Sequence, residues 1–337
     1  MEFPISTAPA IGGAAVVAPG ILWLRMPLPY ALDHVNLWLI DDQAGWVLVD
    51  TGYPDRQNRE LWEAAFDGPM GRRRPSRLIV THFHPDHMGL AGWLVERFGL
   101  TLETTLAEWA HGRMVSLDHG QAFVDASLAF YKAAGFDQGL LELAAKRGNA
   151  YAARVKDIPP VYRRIREGDE LLLGGRKWKV VVGEGHAVEL ACLWCEELKV
   201  MISGDQILPS ISPNVSVWPT EPDGDPLRRF ISSLERFRAL PDDILVLPSH
   251  GLPFRGLHER IGQLEGHHAE RLEETLEACR TPITATELIA VLFRRKLDTH
   301  QLFFALGESL AHLHYLLGQG KVARDIDGNG VQRFRRL

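Results

Sequence analysis

Arg77-Leu78-Ile79-Val80-Thr81-His82-Phe83-His84-Pro85-Asp86-His87 is the stretch on which the fold turns. A short apolar run, read as a buried strand, leads straight into three histidines and an aspartate within six positions. Metal ligands must be lone-pair donors converging on one point. Residues i and i+2 of an extended chain face the same way, so His82 and His84 can bind one cation. Asp86 and His87 fall where the chain turns into the next helix; they point elsewhere and suit a second cation nearby.

Outward from this cluster the pattern is layered. Residues 36–50 (NLWLIDDQAGWVLVD) read as a β-hairpin around Asp41–Gly45, and 55–66 as weakly helical. Met88–Phe98 is apolar at helical spacing and stops at Gly99. Strand, helix, strand, helix is the order of an α/β layered fold. Residues 105–165 are rich in Ala, Leu, Lys, Glu and Arg, with Pro159-Pro160 as the strong breaker. They predict two to four helices laid over the core as an inserted lid. Strands return from Asp169 to Ser203, a helix follows at 225–239, and Ile244–Leu247 runs into Pro248-Ser249-His250.

Beyond residue 257 the chain reads as a second unit. Helical runs at 258–279, 284–294 and 300–318 precede KVARDIDGNGVQRFRRL, a hairpin around Asp327–Gly330. Thr284 with Glu287 has capping-box spacing. Three helices and a hairpin are the plan of a winged helix, so the expected domains are 1–257 and 258–337.

Composition narrows the function classes. In 337 residues, 46% are hydrophobic and 24% charged, as in ordinary globular proteins. No apolar run reaches the roughly 18–20 residues that span a bilayer. The first residues lack a basic segment of the kind that opens an export signal. Three cysteines cannot build a disulfide framework, and the expectation is a cytoplasmic protein. A net charge of −6 gives no drive toward phosphate backbones or anionic membranes.

The sequence His-x-His-x-Asp-His after a hydrophobic strand resembles the signature of the metallo-β-lactamase superfamily, and four further segments extend the likeness in family order. They are Val47-Leu48-Val49-Asp50-Thr51-Gly52, Glu184-Gly185-His186, Ser203-Gly204-Asp205 and Pro248-Ser249-His250-Gly251. The resemblance implies an αββα sandwich carrying the helical insertion and the winged-helix-like tail. It implies a first metal on His82, His84 and His186, and a second on Asp86, His87 and His250. Asp205 would be shared, and Asp50 would orient a ligating imidazole from behind.

Imidazole and carboxylate donors without thiolate favour two Zn²⁺ ions, with Mn²⁺ or Fe²⁺ as alternatives. The implied reaction is attack of a metal-bridging hydroxide on an ester, thioester or lactone carbonyl, thioesters being slightly favoured. Asp86 would take a proton through its non-ligating oxygen. The implied partner is a small-molecule acyl substrate, and a homodimer is the oligomeric state considered. Tyr30 and His34, before the hairpin, and Asn214 and Trp218, in the irregular stretch after Asp205, are the pocket candidates.

Other features read more plainly. Cys192 and Cys195 have CxxC spacing, but i and i+3 of a strand face opposite sides. His267-His268 on a helix do not converge, which suits solvent or interdomain packing. The tail carries eleven Lys or Arg against eleven Asp or Glu, a balance that argues against nucleic-acid binding. The alternatives are a metal-dependent RNA endonuclease or phosphodiesterase, and a non-catalytic winged-helix regulator.

Overall fold

The computed structural model describes residues 1–337 and contains two large sheets packed face to face. The first is entered by β1 (Ala14–Ala18), β2 (Ile21–Pro27), β3 (His34–Asp42) and β4 (Gly45–Val49), each antiparallel to the one before it. Helix α1 (Arg56–Asp67) then returns the chain to β5 (Pro75–Ile79), which pairs parallel with β4. Short α2 (Pro85–Met88) and α3 (Ala91–Phe98) follow the histidine cluster, and Gly99 ends α3 in the left-handed region. Next come β6 (Leu102–Thr104) and helices α4 (Leu106–Leu117), α5 (Gln121–Ala133) and α6 (Gln138–Arg147). Strand β7 (Tyr162–Arg164) closes the sheet beside β6, again parallel.

The second sheet holds β8 (Glu170–Leu173), β9 (Arg176–Gly183), β10 (Leu190–Cys195) and β11 (Val200–Gly204) as an antiparallel meander. Helix α7 (Pro226–Arg238) leads to β12 (Leu245–Pro248), which pairs parallel with β11. The tail adds α8 (Leu257–Ala278), α9 (Ala285–Leu292), α10 (Thr299–Gly318) and the hairpin of β13 (Val322–Ile326) with β14 (Gln332–Arg336). The capping box of Thr284 with Glu287 is formed.

Three buried clusters define four layers. Trp23, Trp38, Val47 and Ile79 meet Trp178, Val180, Leu193 and Leu247 between the sheets. Leu22, Leu24, Leu48 and Leu78 turn outward against Trp62, Leu94 and Phe98 of α1 and α3. Val181, Cys192, Met201 and Val246 face α7 and continue into the tail through Phe230, Leu264, Leu306 and Phe334. Cys192 and Cys195 accordingly lie in different clusters, free thiols on opposite faces of β10. His268 packs in the seam, its ring 5.4 Å from that of Phe230 and 5.5 Å from that of His312.

The structure amends several boundaries. The lid is not a plain insertion over residues 105–165: its last residues form β7, so three helices hang between two neighbouring strands of one sheet. The apolar run 88–98 is two helices, broken near Gly89–Leu90. Strands β1 and β2, and the three-residue β6 and β7, are additions to the sequence-based layout. In β2, Trp23 faces one buried layer while Leu22 and Leu24 face another. A strand buried on both sides loses the alternation by which strands are recognised.

Candidate metal centre

Chain direction explains why distant residues meet. Strands β4 and β5 run parallel, β11 and β12 run parallel, and β9 shares the direction of β11 because each is antiparallel to β10. All five therefore end at one edge of the sandwich. Asp50 follows β4, His82–His87 follow β5, His186 follows β9, Asp205 follows β11 and His250 follows β12. Gly185 permits the bend before His186. Its φ is +95°, and a Cβ there would run into Pro226 O and Phe230 of α7.

Two groups of donors converge at that edge: His82, His84, His186 and Asp205, and beside them Asp86, His87 and His250. His82 Nε2 lies 3.0 Å from His84 Nδ1 and 3.3 Å from His186 Nε2. Asp205 Oδ2 stands 3.4 Å from His186 Nε2 and 4.0 Å from His82 Nε2. Its other oxygen, Oδ1, is 3.5 Å from His87 Nε2 and 3.4 Å from His250 Nε2. Asp86 Oδ2 makes the same approaches, 3.5 Å to His87 and 3.4 Å to His250. Donors about 2.1 Å from a tetrahedral centre are about 3.4 Å from one another, so these spacings fit a small divalent cation in each group. His87 Nε2 and Asp205 Oδ1 are buried without a hydrogen-bond partner, which such a cation would supply.

Four of the five donor imidazoles are held from outside, His84 being the exception. Asp50 Oδ2 lies 2.8 Å from His87 Nδ1, and Asp50 Oδ1 accepts the Thr81 N–H at 2.7 Å. Asp50 adopts φ +66°, a strained conformation for a residue with a Cβ, fixed here by those bonds. His82 Nδ1 meets Thr81 Oγ1 at 3.0 Å, and His186 Nδ1 meets the Asn214 carbonyl at 2.8 Å. His250 Nδ1 meets the His34 carbonyl at 2.7 Å. These contacts fix ring orientation and direct the free nitrogens inward.

The electrostatics divide the imidazoles. Burial, then the neighbouring His87 and His84, hold His82 well below the ordinary histidine range, and burial with His186 does the same to His84. Burial also opposes protonation of His87 and His250, but carboxylates outweigh it. Asp86, Asp50 and Asp205 raise His87 well above its ordinary value, and Asp205 with Asp86 brings His250 to about 10. Asp205 and Asp86 are held well below theirs by the same histidines, against their burial. Cation binding in such a cage is coupled to proton release.

The cleft above is about 700 Å³. Tyr30, Asn214 and Trp218 line it, as do His84, Asp86, His186, Asp205 and His250. His34 does not, a correction to its expected place against substrate. Its ring accepts the Gly251 N–H at 3.0 Å and sits 2.7 Å from Asp33 Oδ1, while its carbonyl holds His250. The residue secures a donor because it pairs with the loop after β12 instead of turning to the cleft.

Sequence reasoning passed over two groups that brace the cluster from the lid. Buried Glu108 of α4 accepts the Phe83 N–H at 2.9 Å and the Glu189 N–H at 2.6 Å, and burial lifts its carboxyl to about 7. Tyr151 donates its hydroxyl to the Phe83 carbonyl at 2.6 Å. Thr105 and Glu108 have capping-box spacing, which marks the start of α4, but the Glu108 side chain turns to the metal-site loop instead.

The model of the "Metallo-beta-lactamase superfamily" matches residues 30–250, and that of the "Metallo-beta-lactamase-like, C-terminal domain" matches residues 272–337. A beta-lactamase domain protein from Burkholderia ambifaria is similar across 100% of this chain and 98% of its own, at 44% identity and a TM-score of 0.93. A metallo-beta-lactamase family protein from Thermus thermophilus is 31% identical, with a TM-score of 0.81 over 96% of this chain and 100% of its own. The "Probable metallo-hydrolase YqjP" of Bacillus subtilis (strain 168) is 25% identical over 92% of this chain and 96% of its own. The human "Acyl-coenzyme A thioesterase MBLAC2" is 26% identical over 56% of this chain and 63% of its own length.

Proposed function

The chain belongs to the metallo-beta-lactamase superfamily and is a hydrolase, and from that premise we propose that it cleaves ester, thioester or lactone carbonyls, thioesters foremost, with two divalent cations, of which zinc suits the donors. His82, His84 and His186 would hold the first cation, and Asp86, His87 and His250 the second. Asp205 lies between, and that carries the proposal: its two oxygens address different histidine pairs at 3.4–4.0 Å. When bound, such a pair of ions acidifies a water at neutral pH and polarises the carbonyl under attack.

The chain's own residues do the rest. Asp50, Thr81 and the carbonyls of His34 and Asn214 keep the donor rings from turning. Asp86 Oδ2 faces the ring nitrogens of His87 and His250, where it would serve as a ligand; Oδ1 would then be the oxygen left to take a proton from the attacking water and pass it to the leaving group. Leu28, Phe83, Trp218 and Phe304 are among the apolar residues that line the cleft walls, surface suited to an acyl chain. No serine or cysteine nucleophile is needed.

Thioesters lead because the wall is apolar and because a relative is named an acyl-coenzyme A thioesterase. A nucleic-acid substrate is disfavoured by the tail, whose basic cluster is already matched. Arg333 faces Glu287, Arg335 faces Asp325, and Arg336 faces Glu277. The test is metal analysis of the purified protein alongside thioesters, lactones and phosphodiesters. We expect two equivalents of metal and thioester turnover. Asp205→Ala should lose one equivalent and about 10³-fold or more in kcat/KM, the scale on which groups organising transition-state charge act. Undiminished turnover in that variant would end the two-cation mechanism, and a preference for phosphodiesters with salt-dependent binding would end the carbonyl assignment.

A further inference from the structure

Away from the metal donors, the cleft is lined by three arginines without carboxylate partners: Arg295 of the tail, which is exposed and donates to Gln301 Oε1 at 3.0 Å, and two in the lid. Arg147 closes α6 and Arg154 lies in the turns after it, and both line the cleft. Neither guanidinium is in an ion pair. Arg147 stands 4.3 Å over the Phe303 ring, and Arg154 donates one hydrogen bond, to the Ala150 carbonyl at 2.7 Å. Elsewhere several partly buried arginines are matched, although Arg113 donates only to the Ile158 carbonyl, at 2.7 Å. Arg77 pairs with Glu103, Arg238 with Glu265 and Arg271 with Glu274. Arg260, also without a carboxylate, donates to the carbonyls of Leu208 and Ile211 and to Gln263.

The surroundings of the pair supply phenol hydroxyls and aromatic surface but no carboxylate partner: Tyr30 acts on Arg154 and Tyr131 on Arg147. His300 of α10 stacks on Tyr30 with ring centres 4.8 Å apart, and the Tyr30 hydroxyl lies 3.1 Å from that of Tyr53. Burial, then Arg147 and Arg154, keep His300 below its ordinary protonation range, so the two guanidiniums are close enough to act on it. Asp298, the acid of this wall, caps α10 by accepting the Gln301 N–H at 2.8 Å. Two cations left unmatched in a concave site retain their full capacity for an anion, and guanidinium forks suit carboxylate and phosphate oxygens.

We propose that Arg147 and Arg154 form an anion subsite in the cleft, so that the substrate is an acyl compound bearing a carboxylate or phosphate remote from the carbonyl attacked. This rests on the hydrolase mechanism above and specifies its substrate class. The anion belongs either to the acyl chain or to the leaving thiol, and matched probes separate the two. S-hexanoyl-N-acetylcysteamine is neutral, S-adipoyl-N-acetylcysteamine carries a carboxylate on the acyl side, and S-hexanoyl-4′-phosphopantetheine carries a phosphate on the thiol side.

The Arg147→Met/Arg154→Met variant should raise KM at least about 30-fold for one charged thioester, two lost charge-assisted contacts being worth that much. The neutral thioester should change less than about threefold, and the Lys/Lys variant should recover part of the loss. Calorimetric titration of adipate and of 4′-phosphopantetheine, with hexanamide and pantetheine as neutral controls, reads the same subsite without turnover. At least one anion should bind wild type more tightly than its control and lose that margin in the double Met variant. Arg154→Met alone should show part of the effect and guards against misfolding of the double variant. Equal losses on charged and neutral probes, or anions binding no better than their controls, would overturn the subsite. Anion binding lost in the variant, with no carbonyl substrate cleaved by wild type, would instead refute the hydrolase mechanism and leave the subsite standing.

Discussion

At the sheet edge His87 and His250 are buried against Asp50, Asp86 and Asp205, whereas between α8 and α10 His268 and His312 are buried against each other, Nδ1 to Nε2 at 3.4 Å. Burial is nearly complete in both places: His87 and His312 are each 0% exposed. The outcomes are opposite. Carboxylates raise the first pair, and His250 reaches about 10. Burial depresses the second pair, and neighbouring His312 and His267 add to the effect on His268, which falls to about 3, while His312 falls to about 4. Burying histidines together is therefore not enough to make a cation site. The acidic partners supply the charge that a divalent ion requires, and the tail pair, lacking them, serves as packing against Phe230.

Removing an acid from the first region should do the most damage. Asp50→Ala strands the Thr81 N–H and frees the His87 ring, so metal affinity should fall about 10- to 100-fold, the usual range for such outer partners. Competition with a chelator measures this directly. Affinity within twofold of wild type would show that His87 is held by something other than Asp50.

The second region should respond to pH. Folded His268 and His312 bind protons less readily than an unfolded histidine near 6.5, so the unfolded state takes up more protons as pH falls. Stability should drop from about pH 6.5 down to about pH 4, by about 2–3 kcal/mol from His312 alone. Urea titrations of wild type and His268→Leu/His312→Leu should diverge over that window, and parallel curves would show that the pair is not protonated on unfolding.

A single carboxyl lies where the two regions meet, and its effect should be smaller than that of the two histidines together. Glu308 of α10 lines the cleft near Asn214 Nδ2 at 3.3 Å, and burial lifts its carboxyl to about 7. A carboxyl raised in the folded state weakens the fold as pH climbs from about 4.5 to about 7. Glu308→Gln should therefore gain about 2–3 kcal/mol at pH 8 and nothing at pH 4, with thermal melts at the two pH values as the check. A gain at both would assign the benefit to packing.

Much of this centre is legible in the chain because its donors sit beside recognisable punctuation. Asp50 precedes Thr-Gly, His186 follows Glu-Gly, Asp205 follows Ser-Gly, and each closes an apolar run. The strand β2 is hidden by burial on both faces, and β6 and β7 are too short to show a period. Glu108, Arg147, Arg154 and Glu308 escape for another reason. They lie in helical or turn segments of mixed composition, where one more charge reads as solvated surface and only the tertiary fold turns it inward. His34 is the converse: a polar residue in a suggestive loop, taken up by backbone pairing with the turn after β12.

The lid leaves the first sheet after β6 and re-enters it at the adjacent β7, so its two ends are neighbours in the sheet. Such a roof can be lengthened, shortened or exchanged while the walls beneath keep their register. Its hold on Phe83 sets the condition on that freedom. Any replacement roof has to restore the two hydrogen bonds made by Glu108 and Tyr151, or the loop between the first two donor histidines loses its scaffolding. Selectivity can drift with the roof, whereas reactivity is tied to the two side chains that reach down from it.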